Sequence, residues 1–308
     1  MKAFSEYKKS LNSRSVNEDS VATQYTLFPK DKEELKQMIQ KEIDKQGPNA
    51  DLNHIDVSKI TDFSRLFYKS YFNGDISKWD VSNAINMDGM FWGAKEFDGD
   101  LSDWDVSNVR NMTKMFCLAK SFNQDLSGWD VSNVTDMSEM FSEASNFNGD
   151  ISMWDVRNVT NMAYMFNCSA FNGNLKRWTP KNVENMEGMF GYCGSFNSDI
   201  SRWDVSRVTN MTEMFIGAIS FNGDISNWDV SKVTSMRWMF RCCKKFNQDI
   251  SKWNVSNVRN MMCMFCGCES FDQDISNWDV SAVKFNDYIF AECPCSLEHQ
   301  PKFGSIIM

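Results

Sequence analysis

Side chains that do chemistry are scarce in this sequence. Of 308 residues only two are histidine, His54 and His299, and neither sits in a recognisable motif. There is no P-loop, no GxGxxG and no serine-nucleophile signature. The chain is therefore expected not to be an enzyme, with no catalytic residue and no cofactor. No stretch approaches the ~20 apolar residues of a membrane span. The first twenty residues, MKAFSEYKKSLNSRSVNEDS, lack the apolar core of a secretory signal. Positive charge is also short: 32 Lys and Arg face 41 Asp and Glu, a net charge of −9, which argues against nucleic acid or an anionic membrane as partner.

The ten cysteines include no pair of CxxC motifs of the zinc type. Cys263, Cys266 and Cys268 lie close in sequence, so metal binding and disulfides both have to be weighed. A third reading fits the pattern better. Ala94, Ala119, Ala144, Ser169, Cys193, Ala218, Cys243, Cys268 and Cys293 form one recurring position, which is what a column of small buried side chains gives. No metal site is expected.

What the sequence has in abundance is repetition. Tryptophan recurs at 79, 104, 129, 154, 178, 203, 228, 253 and 278, every 25 residues except for one step of 24. Phenylalanine opens each unit from Phe72 to Phe271, methionines follow each tryptophan but the last by 8 and 11 residues, where Asn286 and Ile289 replace them, and a second phenylalanine follows every tryptophan by 12. Periods of this length belong to repeat arrays, whose units cannot bury an apolar face alone and must stack. The Phe, Trp and Met columns are the expected core. The Trp-x-Val alternation reads as a short strand. An Asn or Asp precedes most of the first methionines, as Asn111 and Asp136 do, and suits a helix N-cap, so Met-x-x-Met-Phe reads as one or two helical turns.

Two aspartate columns flank the tryptophan. One lies four residues before it, as in Asp150, and the other directly after it, as in Asp155. Repeats stacked ~4.8 Å apart would bring neighbouring carboxylates together at a cost of roughly 1 kcal/mol per pair in water. Asx turns that spend each carboxylate on its own backbone are the expected remedy. Calcium between repeats is the alternative, although the Gly-x-Gly-x-Asp signature is missing.

The chain divides into a flexible arm (1–26), a cap of helix and partial repeat (27–71), nine repeats (72–295) and a tail (296–308). Asp31 to Lys45 reads as the capping helix: Asp31 and Glu34 form a capping box, Leu35, Met38, Ile39 and Ile43 share a face, and Gly47-Pro48 stops it. The Trp178 repeat follows the step of 24, loses both aspartates to Asn174 and Thr179, and puts Pro180 where the others have Val. Proline is excluded from central strands, so the ladder is expected to break or bulge there, with a gap in both Asp columns. Specificity belongs to positions that vary. One precedes the tryptophan and includes Lys78, Asp103, Arg177, Arg202 and Lys252. The other lies between the methionines and includes Tyr164 and Trp238, the latter an expected exposed anchor.

The I-x-x-W-x-V core resembles the L-x-x-L-x-L of a leucine-rich repeat. FNxDIS-x-WDVSNVTNM-x-x-MF-x-x-A/C resembles the BspA-type leucine-rich repeat surface proteins, also known as mycoplasma-type lipoprotein repeats, over about residues 28 to 295. The resemblance implies an α/β repeat fold: a right-handed solenoid of short parallel strands and short helices with an N-terminal helical cap. It further implies a bacterial surface or secreted location and non-catalytic binding of a protein partner. An intracellular scaffold with reduced cysteines is the alternative, with a cytoplasmic location.

Overall fold

The structure is a computed structural model that describes residues 25–304. The arm expected over 1–26 lies outside the described residues except for its last two positions. Helix α1 (Lys32–Gln46) forms where the sequence places it. The Asp31 carboxylate accepts the Glu34 N–H at 2.9 Å. The return bond goes one residue further back than a capping box would send it, from Lys30 N–H to Glu34 Oε2. Gly47, at φ 86°, ends the helix and donates to Ile43 O. Leu35 and Ile39 are buried, while Met38 and Ile43 are partly buried against the same core.

Beyond the helix each repeat lies on the next in constant register. The core runs unbroken from Leu35 to Cys295 and contains the nine tryptophans of the repeat column and the Phe and Met columns. Ring neighbours show the register directly. Trp129 and Trp154 stack at 6.3 Å between centroids, and Phe122 and Phe147 at 6.0 Å. Each indole of the repeat tryptophan column satisfies its N–H on the preceding repeat: Trp129 Nε1 donates to Leu101 O at 2.9 Å and Trp154 Nε1 to Leu126 O at 2.9 Å. The same bond recurs at all nine tryptophans of the column, from Trp79 on Leu52 to Trp278 on Ile250.

The secondary structure inside the repeats differs from the expected strand and helix. Among the described residues the only helices are α1 and a 3-10 turn at Leu297–His299. Trp-x-Val makes no ladder. Apart from Leu27↔Ile55 and Asp51↔Asp75 at the N-terminal end, the parallel bridges fall at the position before the first methionine instead, in a series from Asp62↔Asn86 to Asn260↔Phe285. Met-x-x-Met-Phe is a ribbon of linked turns, not helix. Alternate N–H groups bond three residues back, as Met140 does to Met137 O. The others cross to the next repeat, as Met137 does to Asn161 O and Phe141 to Met165 O. Two residues per turn ribbon take positive φ, for example Glu139 and Glu143, both at 55°. The cap residues do bond as a cap would, since Asp136 Oδ1 accepts the Ser138 N–H at 2.8 Å. A neighbouring repeat that offers acceptors at every second N–H then outcompetes the i−4 carbonyls of a helix.

The expected break at Pro180 is absent. The bridges Asn161↔Asn185 and Asn185↔Asn210 continue through it. Trp178 stacks on Trp154 at 6.2 Å and on Trp203 at 6.1 Å. The reason is local. At this position the valine N–H of the other repeats has no hydrogen-bond partner among the described residues, so proline removes nothing, and Val183 N still bonds Pro180 O as Val159 N bonds Val156 O. Asn174 keeps its turn by accepting the Lys176 N–H at 3.0 Å. At Thr179 the turn is held by its carbonyl instead, which accepts the Lys181 N–H.

Candidate functional site: the exposed columns

The two aspartate columns are closed on themselves. Asp150 Oδ1 accepts the Ser152 N–H at 2.8 Å, and Asp199 Oδ1 accepts both the N–H and the hydroxyl of Ser201. These bonds, with Lys176 Nζ at 3.1 Å, hold the Asp199 carboxyl down to about 2. At Asp224 the neighbouring carboxylate Asp199 is the smallest influence, and it acts upward. The hydroxyl and N–H of Ser226 outweigh it, and Asp224 still lies below the usual range.

Sequence reasoning missed a third polar column. The residue after each opening phenylalanine accepts a backbone N–H from the same position one repeat on. Asn123 Oδ1 takes Asn148 N–H and Asn148 Oδ1 takes Asn172 N–H, each at 2.8 Å. The signal was legible, an Asn or Asp after phenylalanine in every repeat.

The residues expected to carry specificity separate into two sets. Lys78, Asp103, Arg177, Arg202 and Lys252 are all exposed and belong to one column. Members of that column touch across repeats: Arg177 Nη1 lies 2.9 Å from Met153 Sδ. Tyr164 and Trp238 belong to the turn ribbon, at φ 55° and 58°. Both are half-buried, so Trp238 is not the exposed anchor that the sequence suggested. The Tyr164 hydroxyl donates to Glu187 Oε1 at 2.8 Å, and burial with that carboxylate raises its pKa. The Trp238 ring lies under the Arg237 guanidinium at 3.8 Å and within 5.3 Å of Arg241. A second such cluster, not read from sequence, sets Arg65 and Lys114 at 5.5 and 5.2 Å from the Trp92 ring.

The thiols behave as packing groups. Cys243 and Cys268 are buried and donate to Phe215 O and Phe240 O, each at 2.8 Å. Burial drives the Cys193 thiol up to about 11 and Cys117 to about 12. No group of His, Cys, Asp or Glu among the described residues is arranged to hold a metal ion, and no helix among them is long and apolar enough to cross a membrane.

This geometry defines a tandem-repeat protein, with a nearly constant apolar interior and most side-chain variation on the outside. Residues 33–136, 119–222 and 193–300 each match the family model described as Mycoplasma protein of unknown function, DUF285, and the chain belongs to that family. No curated protein and no solved structure shows significant similarity to it.

Proposed function

We propose that the chain is a leucine-rich-repeat-like right-handed solenoid that works as a non-catalytic protein-binding module of the BspA type, at a bacterial cell surface or secreted. The observation that carries this reading is the distribution of variation. Nine repeats keep the buried columns nearly constant, while the exposed position before tryptophan changes through Lys78, Asp103, Arg177, Arg202 and Lys252. A surface that varies over a fixed frame is how repeat arrays present binding sites. Immobilised full chain should retain a matrix or envelope protein, and the combined change Lys78→Glu, Arg202→Glu, Lys252→Glu should abolish retention. No retention above background, or retention indifferent to the triple change, would contradict the reading.

The hydrogen-bonded thiols favour a second reading, an intracellular scaffold with reduced cysteines. Cys243 and Cys268 direct their S–H at the carbonyls of Phe215 and Phe240, which also accept the N–H groups of Ala218 and Cys243. Thiol counting on protein isolated from its native cells separates the two readings: ten free thiols support the scaffold and several disulfides remove it.

A further inference from the structure

The two ends of the stack are chemically unlike. Inside it, each repeat sends four alternate N–H groups to the repeat that follows. Met261, Cys263, Phe265 and Gly267 donate to Phe285, Asp287, Ile289 and Ala291 at 2.8 to 2.9 Å. The equivalent donors of the last repeat are the N–H groups of Asn286, Tyr288, Phe290 and Glu292. Among the described residues none of these four has an acceptor. Two large apolar side chains stand exposed on this ribbon, Phe285 at 52% and Tyr288 at 75%. At the opposite end the polarity reverses, since the first repeat would offer carbonyls. Helix α1 occupies that end: Lys32 Nζ reaches Asp62 Oδ2 at 3.0 Å and the Ser64 hydroxyl, while Leu35 and Ile39 are buried.

The tail lays down half of one more repeat. Ser296 N–H bonds Asp272 Oδ1 at 3.1 Å, continuing the column that follows each opening phenylalanine. Ile275 N–H bonds His299 O, as Leu126 N–H bonds Asp150 O. Phe303 follows Trp278 by the repeat interval of 25 and packs partly against the core. The ribbon half of that extra repeat is supplied by no described residue. A cleft of about 1000 Å³, lined by Trp278, Val280, Val283, Asn286 and Phe303 among others, lies beside the open edge.

We propose that the ribbon edge from Asn286 to Glu292 is a docking site for a segment of another polypeptide carrying the Met-x-x-Met-Phe pattern, which adds as one more layer. The internal interfaces show what such an edge takes. Nine successive bridges join one ribbon to the next, each with alternate carbonyls facing the donors and Met and Phe covering the apolar columns. A row of unpaired backbone groups is a template for chain addition. A second copy of this chain does not fit. Its own C-terminal edge would set donors against donors, and its carbonyl edge lies at the end occupied by α1. This surface is separate from the column before tryptophan, so it stands or falls independently of that reading.

Residue-resolved amide exchange on the full chain tests it, with a peptide of residues 159–170, VTNMAYMFNCSA, as probe under reducing conditions. In the free chain the four amides at 286, 288, 290 and 292 should exchange faster than those at 261, 263, 265 and 267. Saturating peptide should slow the four by about tenfold or more and leave the second set unchanged. A peptide with serine in place of its two methionines and its phenylalanine should have no effect. Four amides already protected in the free chain would overturn the proposal. So would protection equal with the serine peptide, or protection confined to another part of the stack.

Discussion

The Trp154 indole N–H donates to the carbonyl of Leu126 at 2.9 Å, across one full repeat and inside the core. That carbonyl also accepts the backbone N–H of Trp129 in its own repeat, so one acceptor ties two layers together. Trp154→Phe removes the donor and part of the ring, and should destabilise the chain by about 2–4 kcal/mol. Trp92→Phe is the control. Its Nε1 has no partner among the described residues, so the cost should stay below about 1 kcal/mol. Chemical denaturation of the two variants checks this, and equal costs would count against the indole ladder.

Gly188 and Tyr164 should be coupled. A Cβ at Gly188 would collide with the Tyr164 ring carbons, and Gly188 already sits at φ 58°. Gly188→Ala should therefore cost about 1–3 kcal/mol by displacing the ring and its bond to Glu187. Adding Tyr164→Ala should recover most of that loss. Additive costs in the double-mutant cycle would mean the ring does not set the space.

Acid should weaken the stack through the aspartate turns. Asp199 has a folded pKa of about 2, below the ordinary 3.8, because the Ser201 hydroxyl and N–H and Lys176 favour its ionised form. Asp229, Asp249, Asp274 and Asp279 are lowered in the same way by their serines. A depressed carboxylate contributes stability that is fully present above its unfolded value and is lost as pH falls through the folded one. Stability should thus decline between about pH 4 and pH 2. Ser201→Ala should raise the Asp199 pKa toward the ordinary range, as carboxyl NMR titration would record. An Asp199 that titrates normally in the unaltered chain would refute the turn as its cause.

Pro180→Val should change stability by less than about 0.5 kcal/mol, because the valine N–H at this position in the other repeats has no hydrogen-bond partner among the described residues. Hydrogen exchange should likewise show no weak joint between residues 170 and 196. A large gain on substitution, or two separate unfolding units, would restore the broken ladder that the sequence alone suggested.

The buried columns were readable because Phe, Trp and Met keep one spacing, and α1 because Asp31, the 3.6-residue periodicity and Gly47 agree. The ribbon was not readable in the same way. Its hydrogen bonds join residues a repeat apart, and its left-handed positions are filled by Glu139, Tyr164 and Trp238 as well as glycine. Composition does not announce positive φ at glutamate or tryptophan. Glycine at 89, 188, 93, 217 and 267 was the available hint, since all five fall on the two positive-φ positions of the ribbon. Tyr164 and Trp238 were found by their variability, but their half-buried state depends on Glu187 and Arg237, partners that spacing alone could not assign.

Exchange of the eleven tryptophan indole N–H groups tests the stacked array most directly. Nine of them, from Trp79 to Trp278, donate to a carbonyl of the preceding repeat, and the remaining two, Trp92 and Trp238, have no acceptor among the described residues. In a 15N-labelled chain transferred to heavy water, nine indole signals should persist together and be lost only with global unfolding, after those of Trp92 and Trp238 have gone. Rapid loss of all eleven, or protection scattered among the nine without regard to neighbours, would contradict a single stack held by the indole ladder.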